Sequence, residues 1–247
     1  MSFPPLVINV ALTGMVPAKA VNPNVPVTPD EIADDAARCD DVIVCVSTSG
    51  RRMSDLEKRA EVLDLEGDLA PELAPLTLGS LNFPTPASVN DPATIRGLAE
   101  RMRERGIVPE LEVFDLRMVD YARYLLDKRV LAPPLCFNIL LGNLGTLSAT
   151  PANLATVVRA LPEGATWAAA GIGRIQEAVS VLAVETGGHV RTGLEDNLWL
   201  DTAKTRPADN VSLVERVVGV AQSIERGIAT PAQARELFRL PTRHANA

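Results

Sequence analysis

The chain has 247 residues and a mass of 26.4 kDa, room for one large domain of barrel size. Its 47% hydrophobic content and mean hydropathy of +0.11 supply a sizeable core and exclude a disordered chain. A formal charge of −7 and a pI near 5.0 argue against nucleic acid as a partner, because such binding needs clustered Lys and Arg.

Strand-sized apolar runs recur along the chain at Leu6–Ala11, Val42–Ser47, Leu73–Gly79, Pro109–Asp115, Cys136–Leu141, Thr166–Ile172 and His189–Glu195. Their near-continuous apolar character fits strands of a parallel sheet buried on both faces. Helical patterns lie between them. Thr28-Pro29-Asp30-Glu31 reads as a cap, a proline at the first helical position and a capping-box Glu, and Ser54-Asp55-Leu56-Glu57 as a second capping box. Asn90–Arg105 reads as a long helix closed by Gly106, while Thr150-Pro151 and Thr230-Pro231 open two more. Strand–helix alternation over the whole length predicts α/β architecture.

Polar and small residues collect after most strands: Thr13-Gly14, Ser47 to Gly50, Gly79 to Asn82, Gly142-Asn143, and Glu195 to Asn197. A site assembled from many strand ends suits a TIM-type (β/α) barrel of one domain, residues 1–247, yet only seven strands are recognisable where a barrel has eight. Gly171-Ile172-Gly173-Arg174 lacks the third glycine of a dinucleotide fingerprint; it reads either as an anion seat at a helix start or as tight strand–helix packing.

None of the apolar runs is long enough for a membrane span, and Met-Ser-Phe-Pro-Pro has no signal-like pattern, so a cytoplasmic protein is expected. Three cysteines form no disulfide framework, and Cys45 reads as an apolar filler in a buried strand. Only two histidines exist, His189 and His244, which nearly excludes a metal site built on several imidazoles. His189, at the N-terminal end of its strand, reads as structural. Period-two spacing places it on one face with Arg191 and Gly193, and puts Glu110 and Glu112 on one face of theirs. Glu195 and Asp196, adjacent at a strand end, are expected to point to opposite sides. Arg191 with either acid forms a functional pair or a plain salt bridge.

At Gly187-Gly188-His189-Val190-Arg191-Thr192-Gly193-Leu194-Glu195-Asp196-Asn197 the chain resembles the β-keto acid cleavage enzymes, which include 3-keto-5-aminohexanoate cleavage enzyme. Ala11-Leu12-Thr13-Gly14, Val25 to Ile32, Val46 to Gly50, Leu78 to Phe83, Pro109 to Glu112, Trp167 to Gly173 and Ala229 to Glu236 carry the likeness in order. The resemblance implies a (β/α)8 barrel, usually a homotetramer, binding zinc or another divalent metal. The implied reaction exchanges acyl groups between a β-keto acid and acetyl-CoA, giving acetoacetate and a new acyl-CoA, so the partners are a small keto acid and a CoA ester. It implies Glu195 as metal ligand, Asp196 as general base held by Arg191, and Ser47, Thr48, Ser80 and Asn82 as substrate-binding residues. Ser47, Thr48, Ser80 and Asn82 equally suit ordinary turns. The family's His-x-His metal pair has no counterpart here. Ala37-Arg38-Cys39-Asp40-Asp41 runs straight into the strand at Val42, which implies that one βα unit is deleted near residues 39–41. Two functional readings follow: an acyl-exchange enzyme, or a catalytically degenerate homologue serving as a binding or scaffold subunit.

Overall fold

The computed structural model describes residues 3–14, 17–37, 42–67, 70–83 and 87–240; the junction near residues 39–41 and His244 lie outside them. Six parallel strands form one sheet: β1 (Ile8–Val10), β2 (Leu73–Thr77), β3 (Val108–Val113), β4 (Cys136–Leu141), β5 (Thr166–Gly171) and β6 (His189–Thr192). Their order across the sheet is β1-β6-β5-β4-β3-β2. The helices are α1 (Pro29–Ala37), α2 (Leu56–Ala60), α3 (Pro92–Glu104), α4 (Leu116–Asp127), α5 (Pro151–Ala160), α6 (Gln176–Glu185), α7 (Asn210–Ser223) and α8 (Pro231–Leu237).

Two side-chain contacts require the sheet to be rolled. Asn9 Nδ2 on β1 donates to Glu110 Oε1 on β3 at 2.6 Å, and Arg191 Nη1 on β6 lies 3.2 Å from Glu112 Oε1 on β3. Three strands separate the first pair in the sheet, which laid flat would hold their backbones about 19 Å apart. Only curvature brings them together. Leu111, Val113, Phe137, Ile139, Leu141, Ala169 and Val190 face outward and are buried under the helices. Their period-two alternates, Glu110, Glu112, Asn138, Ala168 and Arg191, line the concave side.

The expected α/β barrel fold is present in incomplete form. Six of the seven expected strands are ladders. Val42–Ser47 is extended but joins the sheet through a single bridge, Cys45 to Leu73. Beyond Leu6, which bridges to Ile228, β1 pairs only with β6 among the described residues. A seam therefore separates β1 from the Val42 segment. Cys45 is correspondingly exposed, which corrects its expected burial.

The bottom of the roll is plugged by Leu73, Val108, Cys136 and Leu240, with Phe238 packed beside them. His189 belongs to this end: its Nδ1 accepts from the Val7 amide at 3.0 Å and its ring meets Phe238 edge-on. Burial, then Arg226, holds its pKa down at about 4, so it is neutral at pH 7. The helix starts at Thr28, Thr150 and Thr230 are capped by those hydroxyls. At α2 the cap is Asp55 rather than Ser54, one residue later than expected, with its carboxylate accepting from the Lys58 amide.

Candidate active site

The C-terminal end of β6 carries the centre of the site. The strand stops at Thr192, and Gly193 takes φ +136°; a Cβ there would sit 2.2 Å from the Ala11 carbonyl oxygen. That space lets the turn pack on β1, with the Glu195 amide donating to the Ala11 carbonyl. Asn210, at the start of α7, accepts from the Leu194 amide and donates to the Leu12 carbonyl, fastening the turn to the loop after β1. Gln176 Nε2 donates to the Gly193 carbonyl from the other side. The turn is thereby held on three sides.

Because residues 193–196 form a turn rather than strand, Glu195 and Asp196 do not point apart as expected. Both close on Arg191. Arg191 Nε donates to Asp196 Oδ2 at 2.9 Å and Nη2 to Asp196 Oδ1 at 3.2 Å. Nη2 also reaches Glu195 Oε2 at 3.0 Å, and Nη1 reaches Glu112 Oε1 at 3.2 Å. Asp196 and Arg191 are buried, whereas 41% of the Glu195 side chain is open to water at the mouth of the bowl. One guanidinium thus orients three carboxylates, and their attraction keeps it firmly protonated despite burial.

The remaining acids are tuned by position. Burial pushes the Glu110 carboxyl up to about 7, with Glu112 adding and Arg191 opposing. Glu195 is likewise raised to about 7, by the protein crowded around it and by Asp196 and Glu112, against the pull of Arg191. Thr77 Oγ1 donates to Glu112 Oε2 at 2.6 Å and fixes that carboxylate from β2.

The expected substrate-binding residues divide. Ser47 is exposed at the mouth, its Oγ accepting from the Ser49 amide at 3.3 Å. Thr48 is buried and its hydroxyl donates to the Pro75 carbonyl. Ser80 Oγ accepts from the Asn90 amide at 2.9 Å, leaving its proton available, and Asn82 is exposed beside it. Gly171 serves packing, since a Cβ there would meet the Ile175 carbonyl oxygen at 2.6 Å, whereas Gly173 takes φ +68° with open space around it and donates its amide to the Asp196 carbonyl.

Sequence reasoning missed Thr77, Arg59 and Arg51. Arg59 is buried and joins two loops, donating to the carbonyls of Thr48 and Val89 and to Asn90 Oδ1. Gly50 makes room for it, since a Cβ would lie 2.6 Å from Arg59 Nη1. A basic residue five places into a predicted helix gave no local sign of this role.

Zinc requires about four N, S or O donors. Among the described residues no group of three or more His, Cys, Asp and Glu is arranged to hold a metal ion. Glu195 Oε2 is engaged by Arg191, and His189 lies at the opposite end of the roll with Nδ1 occupied by Val7. These donors do not fit the metal that the resemblance implied.

Comparison with known proteins agrees with this architecture. The family model described as beta-keto acid cleavage enzyme matches residues 5–41 and 37–240, two segments that overlap just before the Val42 run. The 3-keto-5-aminohexanoate cleavage enzyme of Fusobacterium nucleatum is 35% identical over 274 aligned positions, covering 95% of this chain and 98% of that protein. That alignment is longer than the 247-residue chain, so part of the relative has no counterpart here. The 3-oxoadipate:acetyl-CoA acetyltransferase of Cupriavidus necator is 33% identical, covering 96% of each. Among solved structures, ObcA with oxaloacetate superposes with a TM-score of 0.65 at 23% identity, over 81% of this chain; the chain spans only 53% of ObcA. With its strand-end acids gathered on Arg191 and its sequence matched on both sides of the seam, this chain belongs to the β-keto acid cleavage enzyme family.

Proposed function

We propose that the chain exchanges acyl groups between a β-keto acid and acetyl-CoA, releasing acetoacetate and a new acyl-CoA. The observation that carries this reading is the clamp of Arg191 on Asp196, a fixed carboxylate at the strand ends. The relatives' names, a cleavage enzyme of a keto acid and an acetyl-CoA acetyltransferase, support the reaction class.

The acidic hydrogen of a β-keto acid lies on the carbon between its keto and carboxylate groups. Asp196, oriented by Arg191, retains lone pairs to take that proton. The resulting carbanion attacks the acetyl thioester carbonyl and expels CoA thiolate. The thiolate attacks the original keto carbonyl and breaks its bond to that carbon. Protonated Asp196 returns its proton to the carbanion so released, giving acetoacetate and acyl-CoA. Ser47 and Ser80 orient the keto acid through their hydroxyl protons. No step is assigned to a metal, because the donors do not accommodate one.

That same donor set favours a second reading, a homologue that binds keto acids without turning them over. The missing unit is read as a deletion of one strand, one helix and their loops near residues 39–41. One assay separates the readings: protein, acetyl-CoA and a panel of β-keto acids, with acyl-CoA products followed by mass spectrometry. Turnover that falls at least a hundredfold in Arg191→Gln supports the enzyme. Saturable keto-acid binding with no product supports the binding protein and rejects catalysis.

A further inference from the structure

Arg51 follows the Ser47–Gly50 turn at the mouth of the bowl. Its guanidinium lies 3.7 Å from the centroid of the Phe83 ring, and that ring is braced edge-on by Phe114 at 6.2 Å. The field of Glu195 and Glu112 reaches it. Yet its only hydrogen bond among the described residues is made by its backbone amide, to Ser49 Oγ, and no ion pair takes up the guanidinium. This contrasts with Arg191 and Arg59, whose N–H groups are spent on internal partners.

The loop bearing Arg51 is not free to wander, because buried Arg59 ties Thr48 to Val89 and Asn90 directly beneath it. A guanidinium seated over a ring through one face leaves its N–H groups to other partners, and their fork matches the two oxygens of a carboxylate. Charge points the same way. Glu110, Glu112, Glu195 and Asp196 outnumber Arg191 inside the bowl, so an anion entering it meets repulsion unless another cation receives it.

We infer that Arg51, seated over the Phe83 ring, is the receptor for the carboxylate of the substrate, holding that end at the mouth while the keto end reaches the Arg191–Asp196 clamp. This rests on the reading of a β-keto acid as substrate. Arg51 also carries the specificity that follows: free acids are taken and their esters are not.

The test is binding of three probes to the full chain by titration calorimetry: acetoacetate, methyl acetoacetate, and adenosine 3′,5′-bisphosphate for the phosphates of CoA. Wild type, Arg51→Gln and Arg51→Lys are compared, with thermal melts as the folding control. Acetoacetate affinity is expected to fall about tenfold in Arg51→Gln and to recover only in part in Arg51→Lys, which lacks the planar fork. Affinity for the methyl ester and the bisphosphate is expected to stay unchanged. Wild-type affinity in Arg51→Gln, a loss confined to the bisphosphate, or no saturable acetoacetate binding by wild type would each overturn the proposal. A protein that binds acetoacetate through Arg51 yet forms no acyl-CoA upholds it and rejects the catalytic reading alone.

Discussion

Arg191 is worth removing for what it leaves behind. Asp196 is buried and takes both of its side-chain hydrogen bonds from this guanidinium. Arg191→Gln therefore strands a buried carboxylate, and urea denaturation should show a loss of about 3–5 kcal/mol. Glu110 makes a different prediction. Its folded pKa of about 7 exceeds the usual 4.5, so the folded chain holds its proton more tightly than the unfolded chain does. That stability is complete below pH 4.5 and is lost as pH rises through 7, on the order of 3 kcal/mol in all. His189 acts in the opposite sense: with its pKa held at about 4, it favours the folded state above pH 6.5 and disfavours it as pH falls through 4. The two slopes oppose each other between pH 4.5 and 6.5. Glu195, also raised to about 7, slopes with Glu110, so the wild type's unfolding free energy should fall with pH across that window and Glu110→Gln should flatten it.

At the scale of elements, β2 to β6 are legible in the sequence because each is an apolar run with a partner on both sides or a helix over its back. The Val42–Ser47 run reads equally well as a strand, but a strand also needs a neighbour, and here one side is missing; the result is one bridge in place of a ladder. The same limit applies to the site. Spacing shows that Arg191 meets an acid at the end of its strand but leaves open which one; Asp196 is singled out only by the family resemblance. The approach of Glu112 to Arg191 is not legible, because it depends on how tightly the sheet rolls, and neither is the convergence of Glu195 and Asp196, which depends on where β6 gives way to a turn. Gly193 is the residue that sets that change. Gly193→Ala should cost on the order of 3 kcal/mol, since the added methyl meets a backbone oxygen and the φ is unsuited to alanine. Its melting temperature should drop, and acyl exchange, if present in the wild type, should fall with the displaced acids.

For the molecule as a whole, the seam is spanned at one end by α8. The segment leading into it pairs with Leu6, through Gly227 and Ala229, while Arg235 on α8 binds buried Glu72 at 2.7 Å and also reaches the Val42 carbonyl. Both margins of the sheet therefore hang on one short helix. Arg235→Gln should destabilise the protein by about 3 kcal/mol, and hydrogen exchange should quicken together at Leu6 and at Leu73, residues that no strand ladder joins directly. If exchange quickened at only one of them, the two margins would be independent. The donor set makes a further prediction: the purified chain should carry well under one zinc per molecule by plasma mass spectrometry, and chelator should leave its melting temperature unmoved.

The side of β1 away from β6, unpaired among the described residues, has a consequence for handling. Amide and carbonyl groups at a sheet margin are what another extended chain pairs with when molecules are crowded. Crowding, more than warmth, is then the hazard for this protein: light scattering at room temperature should climb with concentration well before any melt begins, and a lysine placed at Ile8 or Val10 should suppress it.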